Sequence, residues 1–93
     1  MIQHIQDQTT CDIFAGLPSK AARKIPTMLH TKAKQLLEVL NSAQEIRDMA
    51  SPPGNQLHKL KDDLAGYWAI RINDQYRIVF KFEGGHAYCV RIT

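Results

Sequence analysis

The sequence predicts an α+β fold in which helices cover one face of a curved antiparallel meander, and three observations carry that expectation. Apolar and polar residues alternate with period two through the last third of the chain, interrupted twice by turn-forming residues. The middle of the chain instead repeats leucine at helical spacing. The length, 93 residues, suits one small domain over 1–93 and leaves no room for two. A chain this short buries roughly 60–65% of the surface its unfolded form exposes. An open surface or shallow groove is therefore expected for any site, not an enclosed cavity.

In chain order, Met1–Ile5 is short and mixed enough for an edge strand. Thr9 and Thr10 offer an N-cap to a helical turn over Cys11–Ala15, which Gly16 stops. Ser19–Ile25 suits a second short helix, and Pro26 either ends it or opens the next. Thr27–Leu40 is the best helix: Leu29, Ala33, Leu36, Leu37 and Leu40 share one face, with His30, Lys32, Lys34 and Glu38 off it. Ser42-Ala43-Gln44-Glu45 has capping-box spacing and predicts a separate helix over Ala43–Met49. Ser51-Pro52-Pro53-Gly54-Asn55 breaks regular structure.

Three strands complete the chain. Trp68, Ile70 and Ile72 alternate with Tyr67, Ala69 and Arg71, and Asn73-Asp74-Gln75 makes a tight connection. Tyr76, Ile78, Phe80 and Phe82 alternate with Arg77, Val79 and Lys81. Beyond Gly84-Gly85, Tyr88, Val90 and Ile92 alternate with Ala87, Cys89 and Arg91. One face of this meander is a hydrophobic layer for the leucine-rich helix to cover. The other carries Arg71, Arg77, Lys81 and Arg91.

Twelve Lys and Arg stand against nine Asp and Glu, a net charge of +3 that favours an anionic partner. The charge is uneven: Leu17 to Lys34 holds Lys20, Arg23, Lys24, Lys32 and Lys34 with no acid, and Glu38 to Asp48 is acidic. Guanidinium and ammonium groups gathered on one sheet face attract phosphates. The same pattern suits a solvated face whose arginines pair with Asp62, Asp63, Asp74 or Glu83. Cys11 and Cys89 fit neither zinc spacing nor a disulfide framework, and reduced, half-buried thiols are expected. No apolar run reaches the roughly 18 residues of a membrane span, and the first ten residues lack the character of a secretory leader. A cytoplasmic protein with no membrane association is the expectation.

His58-Lys59-Leu60-Lys61 precedes the meander and sets an imidazole and ammonium groups beside its cationic face. Metal-free RNA cleavage needs a base for the 2′-hydroxyl, an acid for the leaving 5′-oxygen and cations for the charged transition state. Histidine suits the first two tasks because the imidazole of that residue type titrates near neutrality. His4, His30 and His86 read as structural or exposed. There is no glycine-rich phosphate loop, GxSxG elbow or HExxH motif, and Asp62-Asp63 alone makes a poor metal site. Neither metal nor cofactor is expected.

The run Ser51-Pro-Pro-Gly-Asn-Gln-Leu-His-Lys-Leu-Lys-Asp-Asp-Leu-Ala-Gly-Tyr-Trp-Ala-Ile-Arg-Ile-Asn-Asp-Gln-Tyr-Arg-Ile-Val-Phe closely resembles the HigB toxins of bacterial type II toxin–antitoxin modules, in the RelE superfamily. PPGN, L-K-x-D-x-x-G-Y-W and I-R-I-N-D-Q-Y-R-I-x-F are the specific stretches. The likeness extends to the Met-Ile start, the helical middle and the G-x-A-Y of the last hairpin. It implies a RelE-like fold and a ribosome-dependent mRNA endoribonuclease, an mRNA interferase that cuts translated messages in the 30S A site. It also implies a helix-turn-helix antitoxin of the HigA type, through which alone the chain would reach operator DNA.

Within the resemblance, His58 and Lys61 match the family's His-x-x-Lys pair, for proton transfer and for phosphate charge respectively. Arg77 matches the family's arginine in the second meander strand, a phosphate contact. Arg71 and Lys59 join them by position on or beside the cationic face, as do Lys81 and Arg91. Arg23, Lys24, Lys32 and Lys34 are expected to meet ribosomal RNA without sequence preference. Members of this type usually finish the last strand with an Asp-Tyr-His tail whose tyrosine and histidine belong to the active site, whereas this sequence reads Arg91-Ile92-Thr93. A chain running on past Thr93, or a shortened one, is the expectation. A catalytically silent module that binds ribosome or antitoxin, or serves as corepressor, is the alternative.

Overall fold

A computed structural model describes residues 1–50 and 56–93. The Ser51-Pro52-Pro53-Gly54-Asn55 stretch, expected to break regular structure, lies outside the described residues. The architecture is α+β: helices α1 (Gln8–Ala15) and α2 (His30–Ser42) lie on an antiparallel sheet of strands β1 (His58–Lys59), β2 (Trp68–Arg71), β3 (Arg77–Glu83) and β4 (His86–Ile92), arranged in that order.

The helical half matches the sequence in outline and differs at the caps. Asp7, not a threonine, caps α1: its carboxylate accepts from the Thr10 amide at 2.8 Å. Thr10 is instead wholly buried, and its hydroxyl accepts from the Ile92 amide of β4 at 2.9 Å. Gly16 ends the helix as expected, at φ 76°, where a side chain would be strained. Ser19–Ile25 reduces to a 3₁₀ turn over Ala22–Lys24. Pro26 opens the next element, since its carbonyl accepts from Leu29 and the 3₁₀ turn Thr27–Leu29 runs straight into α2.

The capping box does not form, because Ser42 is the last residue of α2. Asp48 takes the role expected of Ser42, accepting from the Gln44 and Glu45 amides at 3.0 and 3.1 Å, while Glu45 pairs with Arg47. In place of the expected helix over Ala43–Met49, a 3₁₀ turn spans Ile46–Ala50. Asp12, largely buried, joins α1 to the next turn by accepting from Gln8 and Ser19. Those two bonds, the one from Ser19 first, hold its carboxyl below the ordinary value, against the opposing effect of burial.

The expected three-stranded meander is present, with two additions and one change of phase. First, β1 adds a fourth strand, with His58 opposite Ala69 and Lys59 opposite Trp68. Second, residues 1–6 do lie at an edge, but parallel to β4 and through isolated bridges at Ile2 and Ile5. The Gln3 and Gln6 amides donate to Ala87 and Val90, both at 2.8 Å. Third, β4 bulges at Cys89, which takes φ 53° and leaves Phe80 facing two residues. Past the bulge the alternation slips by one. Tyr88, expected in the hydrophobic layer, pairs with Lys81 on the other face, and Ala87 enters the core.

Asn73 closes the β2–β3 turn by accepting from the Gln75 and Tyr76 amides. Gly84 and Gly85 make the β3–β4 turn, both at positive φ as a two-residue hairpin requires. The core lies between α2 and the sheet: Ala33, Leu36, Leu37 and Leu40 meet Ile70, Ile72, Ile78, Phe80, Val90 and Ile92. Both cysteines are free, Cys89 half-buried and Cys11 exposed, not half-buried as expected. Among the described residues, no helix is long and apolar enough to cross a membrane.

Candidate active site on the open face of the sheet

With Ile70, Ile78 and Phe80 turned into the core, their neighbours in the strands must face away from the helices. Arg71 and Arg77 are register partners, Val79 pairs with Arg91, and Lys81 pairs with Tyr88. Arg71, Arg77, Lys81 and Arg91 therefore emerge on one face, the open one. His58 joins them across Ala69 and Val79, so that one row runs His58, Ala69, Val79, Arg91 over all four strands.

A hollow of about 430 Å³ opens on this face, lined by His58, Arg71, Arg77 and Thr93 together with the β2–β3 turn. Thr93 belongs to its wall because it exchanges both backbone hydrogen bonds with Arg77, at 2.9 Å each. The imidazole of His58 is held from behind: Nδ1 lies 2.8 Å from the Gln56 carbonyl. A carbonyl only accepts, so Nδ1 carries a proton, and Nε2 has no hydrogen-bond partner among the described residues. Gln56 places that carbonyl from φ 51°, a left-handed conformation uncommon outside glycine.

Two arginines directly opposite each other repel. Asp74 relieves this by an ion pair with Arg71, leaving Arg77 as the guanidinium of the pair that faces the hollow without that partner. The solvated-face pairing open at the level of sequence is thus realised at one arginine. Arg91 is half-buried, and its Nε has no hydrogen-bond partner among the described residues.

The remaining expected residues fall elsewhere. Lys61 is exposed, just before the 3₁₀ turn Asp62–Leu64, three positions from His58 and outside the lining of the hollow. Lys59 is turned to the other side: its ammonium lies 5.1 Å from the Trp68 ring, because it pairs with Trp68 and not with Ala69. The expectation that it stands on or beside the cationic face is corrected by that register. Arg23, Lys24, Lys32 and Lys34 belong to the helical layer, across the sheet from His58, with Lys34 3.9 Å from Glu38. Gln56 and Thr93 are site residues that sequence reasoning missed, whereas Asp74 stood among the acids expected to pair with the arginines if the face is solvated. A turn carboxylate three positions after Arg71 was a usable signal; nothing in the sequence marks the Gln56 carbonyl.

Helices thus lie on one side of an antiparallel sheet, with a histidine and arginines on the other, an arrangement shared with known toxin structures. The YoeB–YefM complex from Staphylococcus aureus contains a chain that superposes with TM-score 0.61 at 22% identity, covering 98% of this chain and 93% of that one. Residues 14–92 match the family model of the RelE-like toxin of type II toxin–antitoxin system HigB. Toxin HigB-1 of Vibrio cholerae serotype O1 is 38% identical over 68 residues, 73% of this chain and 72% of that protein. Endoribonuclease HigB of Proteus vulgaris is 33% identical over 76 residues, 82% and 73% of the two chains. The chain belongs to the HigB-like toxin family.

Proposed function

We propose that this chain is a ribosome-dependent endoribonuclease, the toxin of a type II pair, that cuts messages in the A site by acid–base chemistry without a metal. The observation that carries the reading is His58, held through Nδ1 by the Gln56 carbonyl and placed in one hollow with Arg71 and Arg77, in a chain of a family with an endoribonuclease among its members.

In this reading Nε2 takes the 2′-hydroxyl proton, and the 2′-oxygen attacks the adjacent phosphorus. The bond from phosphorus to the 5′-oxygen breaks, leaving a 2′,3′-cyclic phosphate and a 5′-hydroxyl. One imidazole serves one of the two proton transfers in a turnover, and solvent serves the other. Arg77, with Lys61 reaching in from its exposed position, stabilises the extra charge on the phosphoryl oxygens. Arg71, Lys81 and Arg91 hold flanking phosphates. Arg23, Lys24, Lys32 and Lys34 hold ribosomal RNA from the helical side, so message and ribosome meet opposite faces. A HigA-type helix-turn-helix antitoxin neutralises the toxin and links it to operator DNA, and the cytoplasm is where these partners meet. The YoeB–YefM complex supports an antitoxin partner by analogy of fold.

Primer extension on a message translated with added protein tests the reading. Cuts spaced by codons are expected, falling by about 10²–10⁴ for His58→Ala and about 10²–10³ for Arg77→Ala, with antitoxin binding retained. Arrest of translation without cuts would overturn it in favour of the silent binding module.

A further inference from the structure

One row of the open face takes no part in the proton transfers. Tyr67, immediately before β2, lies across from Lys81, whose ammonium is 5.0 Å from the centre of the phenol ring. Lys81 in turn is the register partner of Tyr88, brought to this face by the bulge at Cys89. Two half-buried aromatic rings therefore flank one exposed ammonium across three chain segments. The Tyr67 carbonyl accepts from the Leu60 amide at 2.9 Å, which ties the backbone at this residue to the segment just after β1, the strand that carries His58.

The row lies two residues along the strands from His58 and Arg91, about 7 Å, on the side away from Arg71 and Arg77. An extended nucleotide spans that distance. We infer that Tyr67 and Tyr88 form a stacking platform for a nucleobase of single-stranded RNA one step from the cut, with Lys81 and Arg91 receiving its phosphate. The inference rests on the reading of the chain as an RNA-cutting toxin and adds a substrate subsite to it. Aromatic rings interleaved with cations on an open groove are what single-stranded nucleic acid selects, and stacking tolerates any base. The contact between Lys81 and Tyr67 does not close the platform. An exposed cation–π pair is weaker than a stacked base, so an arriving base displaces the ammonium toward the phosphate beside it.

The test is photocrosslinking of the full chain to a short single-stranded RNA carrying 5-iodouridine, with the adducts mapped by mass spectrometry. Adducts on Tyr67 or Tyr88 are expected. Their yield should fall about ten-fold in the other tyrosine's Leu variant (Tyr67→Leu or Tyr88→Leu), the size of one lost stack, and hold in the Phe variants, which keep the ring. Circular dichroism melts confirm that each variant folds. Adducts confined to other residues, none at all, or full yield in both Leu variants would overturn the inference, as would capture of the face by acidic peptide in preference to RNA. Uncut translated messages alongside adducts on these tyrosines would remove the catalytic reading and leave the platform standing.

Discussion

Asp74 decides how much of Arg71 a phosphate can reach. The pair is exposed, Arg71 at 38% and Asp74 at 91% of the side chain, so the ion pair is worth little in water. Asp74→Asn should tighten binding of short RNA by about two- to five-fold, the equivalent of a surface ion pair, in a titration at low salt. Weaker binding would mean that the carboxylate positions the guanidinium. Asp12 makes a second case at this scale. Its folded pKa is lowered, so its contribution to stability is complete above the ordinary value of 3.8 and is lost as pH falls through the lowered folded value. Asp12→Asn should flatten the acid limb of stability against pH, measured by urea midpoints, and an unchanged limb would remove Asp12 from the account. How much of the site the sequence reveals is decided by the same kind of detail. The grouping of Arg71 and Arg77 follows from strand alternation, because side-chain direction in a strand is set by parity alone. The tautomer of His58 does not, because it depends on a left-handed backbone at Gln56 that no residue type announces.

At the scale of elements, the bulge in β4 shows where pattern reasoning stops. Period two located all three long strands, since a half-buried strand cannot avoid alternating. One extra residue at Cys89 reverses parity for Ala87 and Tyr88, and cysteine gives no warning of positive φ. Cys89→Gly should leave stability within about 1 kcal/mol, as relief of the left-handed strain offsets glycine's entropy. Cys89→Val should lose at least about 1–2 kcal/mol, read from urea midpoints; equal stability of the two variants would contradict the bulge. Strand β1 escaped notice for another reason: two residues are too short to carry a period. The Ser42 box failed because α2 ran beyond the expected end, and helix termini depend on competition among nearby side chains, here won by Asp48.

For the whole molecule, the decisive feature is charge on both sides of one sheet. Among the described residues, exposed Arg23, Lys24 and Lys32 in the helical layer have no ion-pair partner, whereas Lys34 has Glu38 nearby. Replacing those three residues together with glutamine should lower the slope of ribosome affinity against salt by about 2, at roughly 0.7 per lost phosphate contact. An unchanged slope would place the ribosome elsewhere. The layered fold itself was legible because its two periodicities occupy separate halves of the chain; the parallel edge at residues 1–6 was not, because so short a segment carries no orientation. That edge has a consequence for birth of the protein. Met1 bonds to Gly85, 84 positions away, and Thr10 to Ile92, so residues 1–10 cannot dock until β4 has been made. The wall of the hollow at Thr93 forms at the same moment. In the proposed reading, a growing chain therefore has no cutting site until β4 and Thr93 have joined the sheet.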